Sequence, residues 1–277
     1  MSSPRSIQAP ELQVSAGRDV APATVEHARA RILDLLATVR EPVLSARVRL
    51  TRMHNPSVER PALAQATVDV DGRLARAHVA APTMGEAIGL LRDRLAVQLS
   101  RLHRDREARR GRGGAARPHE WRRGDEGLHR PHYVPLPRED RRIVRRKSYP
   151  LALESAGEAA LELETMDFDF HLFTEIGTRE DSVIHRFGAG PYRLAQVHPR
   201  PEALAPSDLP MTVLTAPATR MTEEQAVDRL EATGGPFVVY ADASTGRGNL
   251  LYYRYDGHYG LISPASDRPS AHREPQQ

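Results

Sequence analysis

Residues 155–194 read SAGEAALELETMDFDFHLFTEIGTREDSVIHRFGAGPYRL, and residues 222–261 read TEEQAVDRLEATGGPFVVYADASTGRGNLLYYRYDGHYGL. The two stretches align as one degenerate repeat. Matching residues stand 67 positions apart, except for a one-residue slip between Phe173 and Tyr192. Capping residues, apolar positions and aromatic residues recur in the same order in both stretches. A repeat of this size predicts two copies of one small domain, and this duplication decides the fold of the second half of the chain.

Each copy is predicted to be a β-α-β-β-β unit, the first at residues 142–200 and the second at 209–265. An extended segment opens each unit, at 143–150 and 211–216, and a capped helix and three short strands follow. The helix covers one face of the small sheet and leaves the other face apolar and bare. We therefore expect the two copies to pack on each other as an intramolecular pseudo-dimer. The aromatic residues expected in this packing are Phe170, Phe173, Tyr192, Phe237, Tyr240, Tyr252 and Tyr259.

The first domain is predicted at residues 8–108, as a two-layer α+β domain with the element order β-α-β-β-β-α. Apolar residues recur at helical spacing over 22–39, and alternating residues predict strands at 46–53 and 63–70. Asp71-Gly72 is typical of a tight turn, so the last two strands are expected to form a hairpin.

A long basic helix completes the first domain. It begins at the capping box Thr83-x-x-Glu86 and is expected to run to about residue 108. Arg94, Arg101 and Arg104 lie on one flank of its apolar stripe, since seven and three residues separate them. Such a row is usually only a solvated face. Here it continues into a basic segment, which favours binding to a polyanion.

The charge of the chain is divided unevenly between its halves. Residues 1–150 contain 29 Lys and Arg against 17 Asp and Glu, a net charge of +12, whereas residues 151–277 carry 10 against 19, a net charge of −9. Within residues 104–147 there are 15 basic and 7 acidic side chains. This asymmetry indicates that the first half meets a polyanion and the second does not.

The segment 109–141 is predicted to be a flexible basic linker, since it is rich in Arg, Gly, Pro and His and lacks periodicity. Trp121 and Tyr133 stand among its arginines, an arrangement that suits single-stranded RNA because bases stack on aromatic rings and guanidinium planes. A merely soluble tether explains the same composition. The tail at 266–277 is also expected to be disordered.

The composition excludes several classes of protein. The chain has no cysteine, so disulfides and thiolate metal sites are excluded. No apolar run approaches the roughly 20 residues that span a bilayer, and no apolar segment of signal-peptide type follows the N-terminus. These features predict a soluble cytoplasmic protein without a membrane partner.

No residue pattern predicts catalysis. His129-x-x-His132 lacks a carboxylate cluster and a helix that would fix its spacing, so it does not predict a metal site. The run at 245–248 has too few glycines for a phosphate loop. Asp167 and Asp169 are interpreted as solvated turn residues. We expect no enzyme activity, no cofactor, no metal and no small-molecule substrate.

Two motifs resemble the ribosome hibernation-promoting factor family, also called the sigma-54 modulation or ribosome-associated inhibitor family. Residues 91–102 read LRDRLAVQLSRL and 107–110 read EARR, which follow the pattern of that family's second helix. Residues 250–262, LLYYRYDGHYGLI, follow the pattern of its C-terminal domain, and 143–147, IVRRK, keep that domain's opening. Two C-terminal copies in one chain resemble the arrangement in actinobacterial members of the family.

The resemblance implies a ribosome hibernation factor. In that family the first domain occupies the decoding region of the small ribosomal subunit, where it blocks messenger and transfer RNA. The implied partners are therefore 16S ribosomal RNA, ribosomal proteins of the small subunit and the 70S ribosome, and we expect inactive 70S monomers. The expected rRNA contacts are Arg31, Arg92, Arg94, Arg101, Arg104, Arg106, Arg109, Arg110, Arg112, Arg122, Arg123, Arg145, Arg146 and Lys147. The alternative is a general RNA-binding repressor that acts on messenger RNA away from the ribosome.

Overall fold

A computed structural model describes residues 11–54, 58–109, 136–186 and 191–265. Within these ranges the chain forms four α-helices and three β-sheets, which confirms the predicted mixed α+β class. The described residues divide into two compact units. The first contains residues up to 109 together with Leu161–Asp169, and the second contains residues 136–160 and those from 170 onward.

The first unit contains a four-stranded sheet and two helices. Its elements are β1 (Leu12–Ala16), α1 (Pro22–Leu36), β2 (Val43–Arg52), β3 (Ala62–Val70), β4 (Arg73–Ala81) and α2 (Met84–Arg109). The strands lie in the order β1-β2-β3-β4, with β1 parallel to β2 and the other pairs antiparallel. This element order is the one that the periodicity indicated.

Alternation along the strands separates the two faces of this sheet. Ala46, Val48 and Leu50 of β2 are buried with the apolar residues of α1 and α2, while Arg47 and Arg49 between them are exposed. At the hairpin between β3 and β4, Asp71 and Gly72 have φ values of 52° and 84°. These are the left-handed conformations that an Asp-Gly turn of this kind requires.

The later part of the chain contains ten strands and two helices within the described residues. In chain order they are β5 (Ile143–Tyr149), β6 (Leu153–Glu154), α3 (Ala156–Thr165), β7 (Phe170–Glu175), β8 (Asp181–His185), β9 (Tyr192–Gln196), β10 (Met211–Val213), β11 (Arg220–Met221), α4 (Glu223–Thr233), β12 (Phe237–Asp242), β13 (Gly248–Tyr253) and β14 (Tyr259–Pro264). The strands form two sheets, in the orders β10-β9-β8-β7-β6 and β11-β12-β13-β14-β5.

The opening strands of the two copies are exchanged. Strand β5, which the sequence assigned to the first copy, pairs in parallel with β14 of the second copy. Strand β10, assigned to the second copy, pairs in parallel with β9 of the first. An edge strand satisfies the same backbone groups on either sheet, so its local pattern does not determine which sheet it joins. The sequence repeat therefore does not predict the exchange.

The strands that follow the helices keep one constant spacing. Strands β7, β8 and β9 begin at residues 170, 181 and 192, and β12, β13 and β14 begin at residues 237, 248 and 259. Each pair of starting points is 67 residues apart. The one-residue slip inferred from the sequence is therefore wrong. It was inferred because the turns between the strands have diverged in sequence while keeping their length.

Candidate nucleic-acid interface

Helix α2 carries most of the predicted rRNA-contact residues that the structure describes in the first unit, and its start is fixed by hydrogen bonds. The backbone N–H of Thr83 donates to Oε2 of Glu86 at 3.2 Å, and the backbone N–H of Glu86 donates to Oγ1 of Thr83 at 3.3 Å. Ile88, Leu91 and Leu95 are fully buried along one side. This burial fixes the rotation of the helix and places its arginines on the flanks.

Four arginines of α2 have carboxylate partners among the described residues, and residues 164–167 supply two of those partners. Arg94 donates from Nε and Nη2 to the carboxylate of Asp167, at 2.9 and 2.6 Å. Arg101 forms an ion pair with Glu164, with Nη1 and Oε2 2.6 Å apart. The interpretation of Asp167 as a solvated turn residue is wrong, because its side chain is only 2% exposed and is satisfied by Arg94. The sequence did not predict the Arg94–Asp167 and Arg101–Glu164 pairs, because the partners lie far apart in the chain.

The remaining arginines of α2 vary in their surroundings. Arg92 pairs with the adjacent Asp93, with Nη1 and Oδ1 2.8 Å apart. Arg106 forms an ion pair with Asp71 of the hairpin turn. Arg104 is exposed. The arginines of α2 therefore do not form a uniform basic stripe. Some guanidinium groups are paired with carboxylates, and others are exposed to solvent.

Six arginines of the first unit have exposed side chains that make no hydrogen bond or ion pair with any described residue: Arg18, Arg31, Arg40, Arg47, Arg49 and Arg52. Arg31 lies on α1, as the sequence predicted, and Arg47 and Arg49 lie on the outer face of β2. Arg47 and Arg49 were not among the contacts predicted from the sequence. The signal was present, since they alternate with the buried Ala46, Val48 and Leu50.

The residues of the second unit that were predicted to contact rRNA lie on the basic strand β5. Arg145 is exposed, and Lys147 lies partly buried on the same strand. Arg146 forms two hydrogen bonds with Glu223 at the start of α4, from Nη1 and Nη2, at 2.7 and 2.8 Å. The hydrogen bonds to Glu223 raise the pKa of Arg146. Arg146 is thus partly neutralised within its own unit.

Several predicted contacts lie outside the described residues. They are Arg110, Arg112, Arg122 and Arg123, together with Trp121, Tyr133, His129 and His132 of the linker. The backbone of Arg109 forms the last residue of α2. The linker's contribution to RNA binding therefore stays a prediction.

A polar cluster lies where the predicted linker ends. Nη1 of Arg141 is 2.8 and 2.9 Å from the carboxylate oxygens of Glu231, and the hydroxyl of Tyr253 donates to the same carboxylate at 2.7 Å. The hydroxyl of Tyr259 also donates to it. Burial raises the pKa of Glu231, but hydrogen bonds from Tyr259, Tyr253 and Arg141 outweigh it, so this pKa is lowered overall. Burial and Glu231 together raise the pKa of Tyr253 to about 12.

The two repeat copies share one apolar cluster in the second unit. Leu172 and Val183 of the first copy are buried with Leu250 and Ile262 of the second. The predicted packing residues that join this cluster are Phe170, Phe237 and Tyr252. Tyr240 and Tyr259 lie instead in the core that contains residues of α4, and Phe173 and Tyr192 are buried.

Equivalent positions of the repeat meet each other. The rings of Phe170 and Phe237 are 5.2 Å apart in an edge-to-face arrangement. Oδ2 of Asp181 accepts from the backbone N–H of Gly248 at 2.8 Å and from Nε of Arg247 at 2.7 Å. Both Phe170–Phe237 and Asp181–Gly248 are 67 residues apart. Contact between equivalent positions is the property of an interface with twofold symmetry.

None of the described helices combines the length and the apolar character needed to cross a bilayer.

A comparison with protein families matches both copies to one domain. Residues 138–194 and 212–261 each match the family model described as "Sigma 54 modulation/S30EA ribosomal protein C terminus". Among curated proteins, the chain is 41% identical over 132 residues to the dormancy associated translation inhibitor of Mycobacterium tuberculosis, in strains CDC 1551 / Oshkosh and H37Rv. The match covers 45% of this chain and 48% of those proteins, so the chain spans about half the length of the curated relatives it matches.

Two solved structures also align with part of the chain. A ribosomal subunit interface protein from Coxiella burnetii aligns with a TM-score of 0.29 and 19% identity, over 34% of this chain and 97% of its own. The Protein Y N-terminal domain from Thermus thermophilus aligns with a TM-score of 0.28 and 20% identity, over 34% and 99%. The family model's match to both copies and the similarity to the mycobacterial proteins support the resemblance to the hibernation-promoting factor family that the motifs indicated.

Proposed function

We propose that the chain is a cytoplasmic ribosome hibernation factor. Its first domain binds the decoding region of the small subunit, excludes messenger and transfer RNA and stores the ribosome in an inactive state. The mechanism is occupancy and involves no covalent chemistry. The observation that carries this proposal is helix α2, whose family motif at 91–102 is fixed on the sheet with Arg94, Arg101 and Arg104 on its flanks. The translation inhibitors that the chain resembles support the same conclusion.

Exposed arginines supply the first electrostatic contact with the ribosome. Arg31, Arg47 and Arg49 are accessible without rearrangement. Each arginine that meets a phosphate releases counterions, so binding should weaken as salt increases. The predicted RNA partner is therefore recognised first through its backbone charge and shape.

Co-sedimentation with purified 30S subunits tests this proposal through two matched variants. Arg31→Glu and Arg229→Glu each reverse one exposed arginine on a helix, α1 in the first unit and α4 in the second. We expect Arg31→Glu to weaken binding several-fold and to reduce the slope of log affinity against log salt by about 1. Arg229→Glu should bind like the unaltered chain. Equal behaviour of the two variants would refute the assignment of Arg31 to the RNA interface.

We further propose that the two C-terminal copies pair within one chain and leave ribosomes as 70S monomers. The exchanged strands β5 and β10 and the shared cluster around Leu172 and Leu250 support this proposal. A partner in the same chain has an effective concentration of about a millimolar, which outcompetes a second molecule at cellular levels.

A sucrose gradient of purified 70S ribosomes with added protein distinguishes the outcomes. Protein that runs with 30S and 70S particles, without a 100S peak, supports both ribosome binding and pairing in one chain. A 100S peak would keep the ribosomal function and overturn the pairing. Protein that stays at the top, yet binds short single-stranded RNA, would favour the messenger-RNA repressor.

A further inference from the structure

The segment Leu161–Asp169 lies against the arginines of the first unit. It consists of the second half of α3 and the turn that follows, and it belongs to the same compact unit as β4 and α2. Asp167 accepts two hydrogen bonds from Arg94 and a third, at 3.0 Å, from the backbone N–H of His78 on the edge strand β4. The carboxylate is thus held by three donors.

A second carboxylate three residues earlier holds a second arginine. Glu164 is 4% exposed and Arg101 is 17% exposed, and their ion pair lies two helical turns along α2 from Arg94. The oxygen of Gln98 also accepts from Arg101, at 3.1 Å. Two acidic side chains on one short segment therefore cover two of the arginines that the family resemblance assigns to ribosomal RNA.

The segment also contacts a third arginine through uncharged groups. The guanidinium of Arg76 lies 5.7 Å from the centre of the Phe168 ring, and its Nη1 is 3.5 Å from the carbonyl oxygen of Met166. The segment therefore presents carboxylate oxygens and an aromatic ring to these arginines. A single RNA strand presents comparable groups, which are its phosphate oxygens and its stacking bases.

The backbone at Asp167 has the conformation that aims this carboxylate. Its φ is 53°, in the left-handed region, and the backbone N–H of Phe168 closes the end of α3 by donating to the carbonyl of Leu163 at 2.9 Å. A left-handed residue other than glycine is uncommon and must be held by its surroundings. Here the contacts with Arg94 and His78 hold it.

We propose that Leu161–Asp169 is an intramolecular cover that imitates RNA on the arginine face of α2, and that RNA phosphates must displace it before Arg94 and Arg101 can bind them. The inference rests on the proposed ribosomal function and adds a regulatory step to it. In the free protein the cover holds these arginines in carboxylate pairs, which disfavours their binding to unrelated anions. A ribosome that offers several phosphates at once replaces both carboxylates together.

The test compares two pairs of neutralising substitutions in the full chain. Glu164→Gln with Asp167→Asn removes the two covering charges, and Asn keeps both an acceptor for His78 and a tolerance of the left-handed conformation. Asp34→Asn with Glu59→Gln removes the same charge from exposed positions of the first unit, neither of which has an ion pair with a described residue. Co-sedimentation with purified 30S subunits is measured at about 0.05 M and 0.2 M salt.

The covering pair should tighten binding more than the control pair. If the cover is closed in about nine tenths of the free molecules, its loss improves the apparent affinity about tenfold. The slope of log affinity against log salt concentration should steepen by about one to two units. Without the covering carboxylates, Arg94 and Arg101 are neutralised by solvent counterions in the free protein, and these counterions are released when the two arginines bind phosphates. Hydrogen exchange of the unaltered chain should show that protection of residues 161–169 falls when 30S subunits are added.

Equal affinities and slopes for the two pairs, with protection of residues 161–169 unchanged by 30S subunits, would overturn the cover and leave the hibernation function intact. No binding by the unaltered chain or by either pair would overturn both. Thermal unfolding of each variant, followed by circular dichroism, identifies any loss of affinity that comes from misfolding, and the exchange measurement on the unaltered chain decides the question in that case.

Discussion

Replacing Leu250 by alanine should loosen both repeat copies, although the substitution lies in only one of them. Leu250 is fully buried on the central strand β13 and packs in the cluster that also contains Leu172 and Val183 of the first copy. Leu251, the next residue, is equally buried but faces the core that contains Leu230 of α4. The two positions therefore form a matched pair on opposite faces of one strand.

The expected magnitude follows from the cavity that remains. Truncating a fully buried leucine to alanine costs about 2–5 kcal/mol, which is the lost transfer energy plus the energy of the unfilled space. Since about 1.4 kcal/mol corresponds to a factor of ten, opening of the shared cluster should become roughly 30-fold to several thousand-fold more frequent. The first copy bears this cost as well, because its Leu172 and Val183 lose a partner.

Hydrogen exchange measured by mass spectrometry on the full chain resolves the effect by segment. Leu250→Ala should reduce protection in β7 and β8 of the first copy as well as in β13. Leu251→Ala should reduce protection mainly in α4 and β12–β14. Unchanged protection of β7 and β8 in Leu250→Ala would refute the packing of the two copies, and with it the argument that ribosomes stay unpaired.

Four further substitutions test packing and electrostatics, three of them in the second unit and one in α2 of the first. The pKa of the Glu231 carboxyl is lowered in the folded chain. The stabilisation that this carboxylate provides is therefore complete above its pKa in the unfolded chain, and it is lost as pH falls through its pKa in the folded chain. Glu231→Gln should therefore flatten the fall in unfolding temperature below about pH 5. Burial lowers the pKa of His185, whose ring contacts Phe237. Stability should therefore decline as pH falls below the ordinary histidine pKa of about 6.5, and His185→Gln should remove that decline. A Cβ at Gly248 would stand 2.8 Å from that of Asp181, so Gly248→Ala should cost about 1–3 kcal/mol of unfolding free energy in denaturant titration. Gly89→Ala in α2 meets nothing within 4 Å and should instead add up to about 1 kcal/mol.

Local patterns in the sequence were enough to predict the elements of the first unit. The alternation over β2 and β3, the Asp71-Gly72 turn and the capping box at Thr83 are each specified by residues close together in the chain. The repeat likewise predicted two C-terminal copies with the same order of helix and strands. Such features are recoverable because backbone geometry imposes a short period on the side chains.

Long-range choices were not recoverable in the same way. The sequence of β5 is compatible with an edge position in either sheet, and only tertiary packing determines that it joins β14. The pairing of Arg94 with Asp167 joins residues 73 positions apart. No period connects them, and the Asp-Phe-Asp run has the composition of a solvated turn. Asp167 is nevertheless buried, because Arg94 neutralises its carboxylate.

These contacts change how the charge of the chain should be interpreted. The count of +12 for residues 1–150 treats every arginine as available, but Asp167 and Glu164, which the count places in the acidic half, belong to the first compact unit and neutralise Arg94 and Arg101 there. Reversing the charge of Arg94 would then remove a predicted RNA contact and also deprive the buried Asp167 of the arginine that neutralises it, which is strongly destabilising. A loss of ribosome binding by such a variant could not be assigned to either cause. Arg31 has no such partner among the described residues, so charge reversal there isolates RNA recognition from folding.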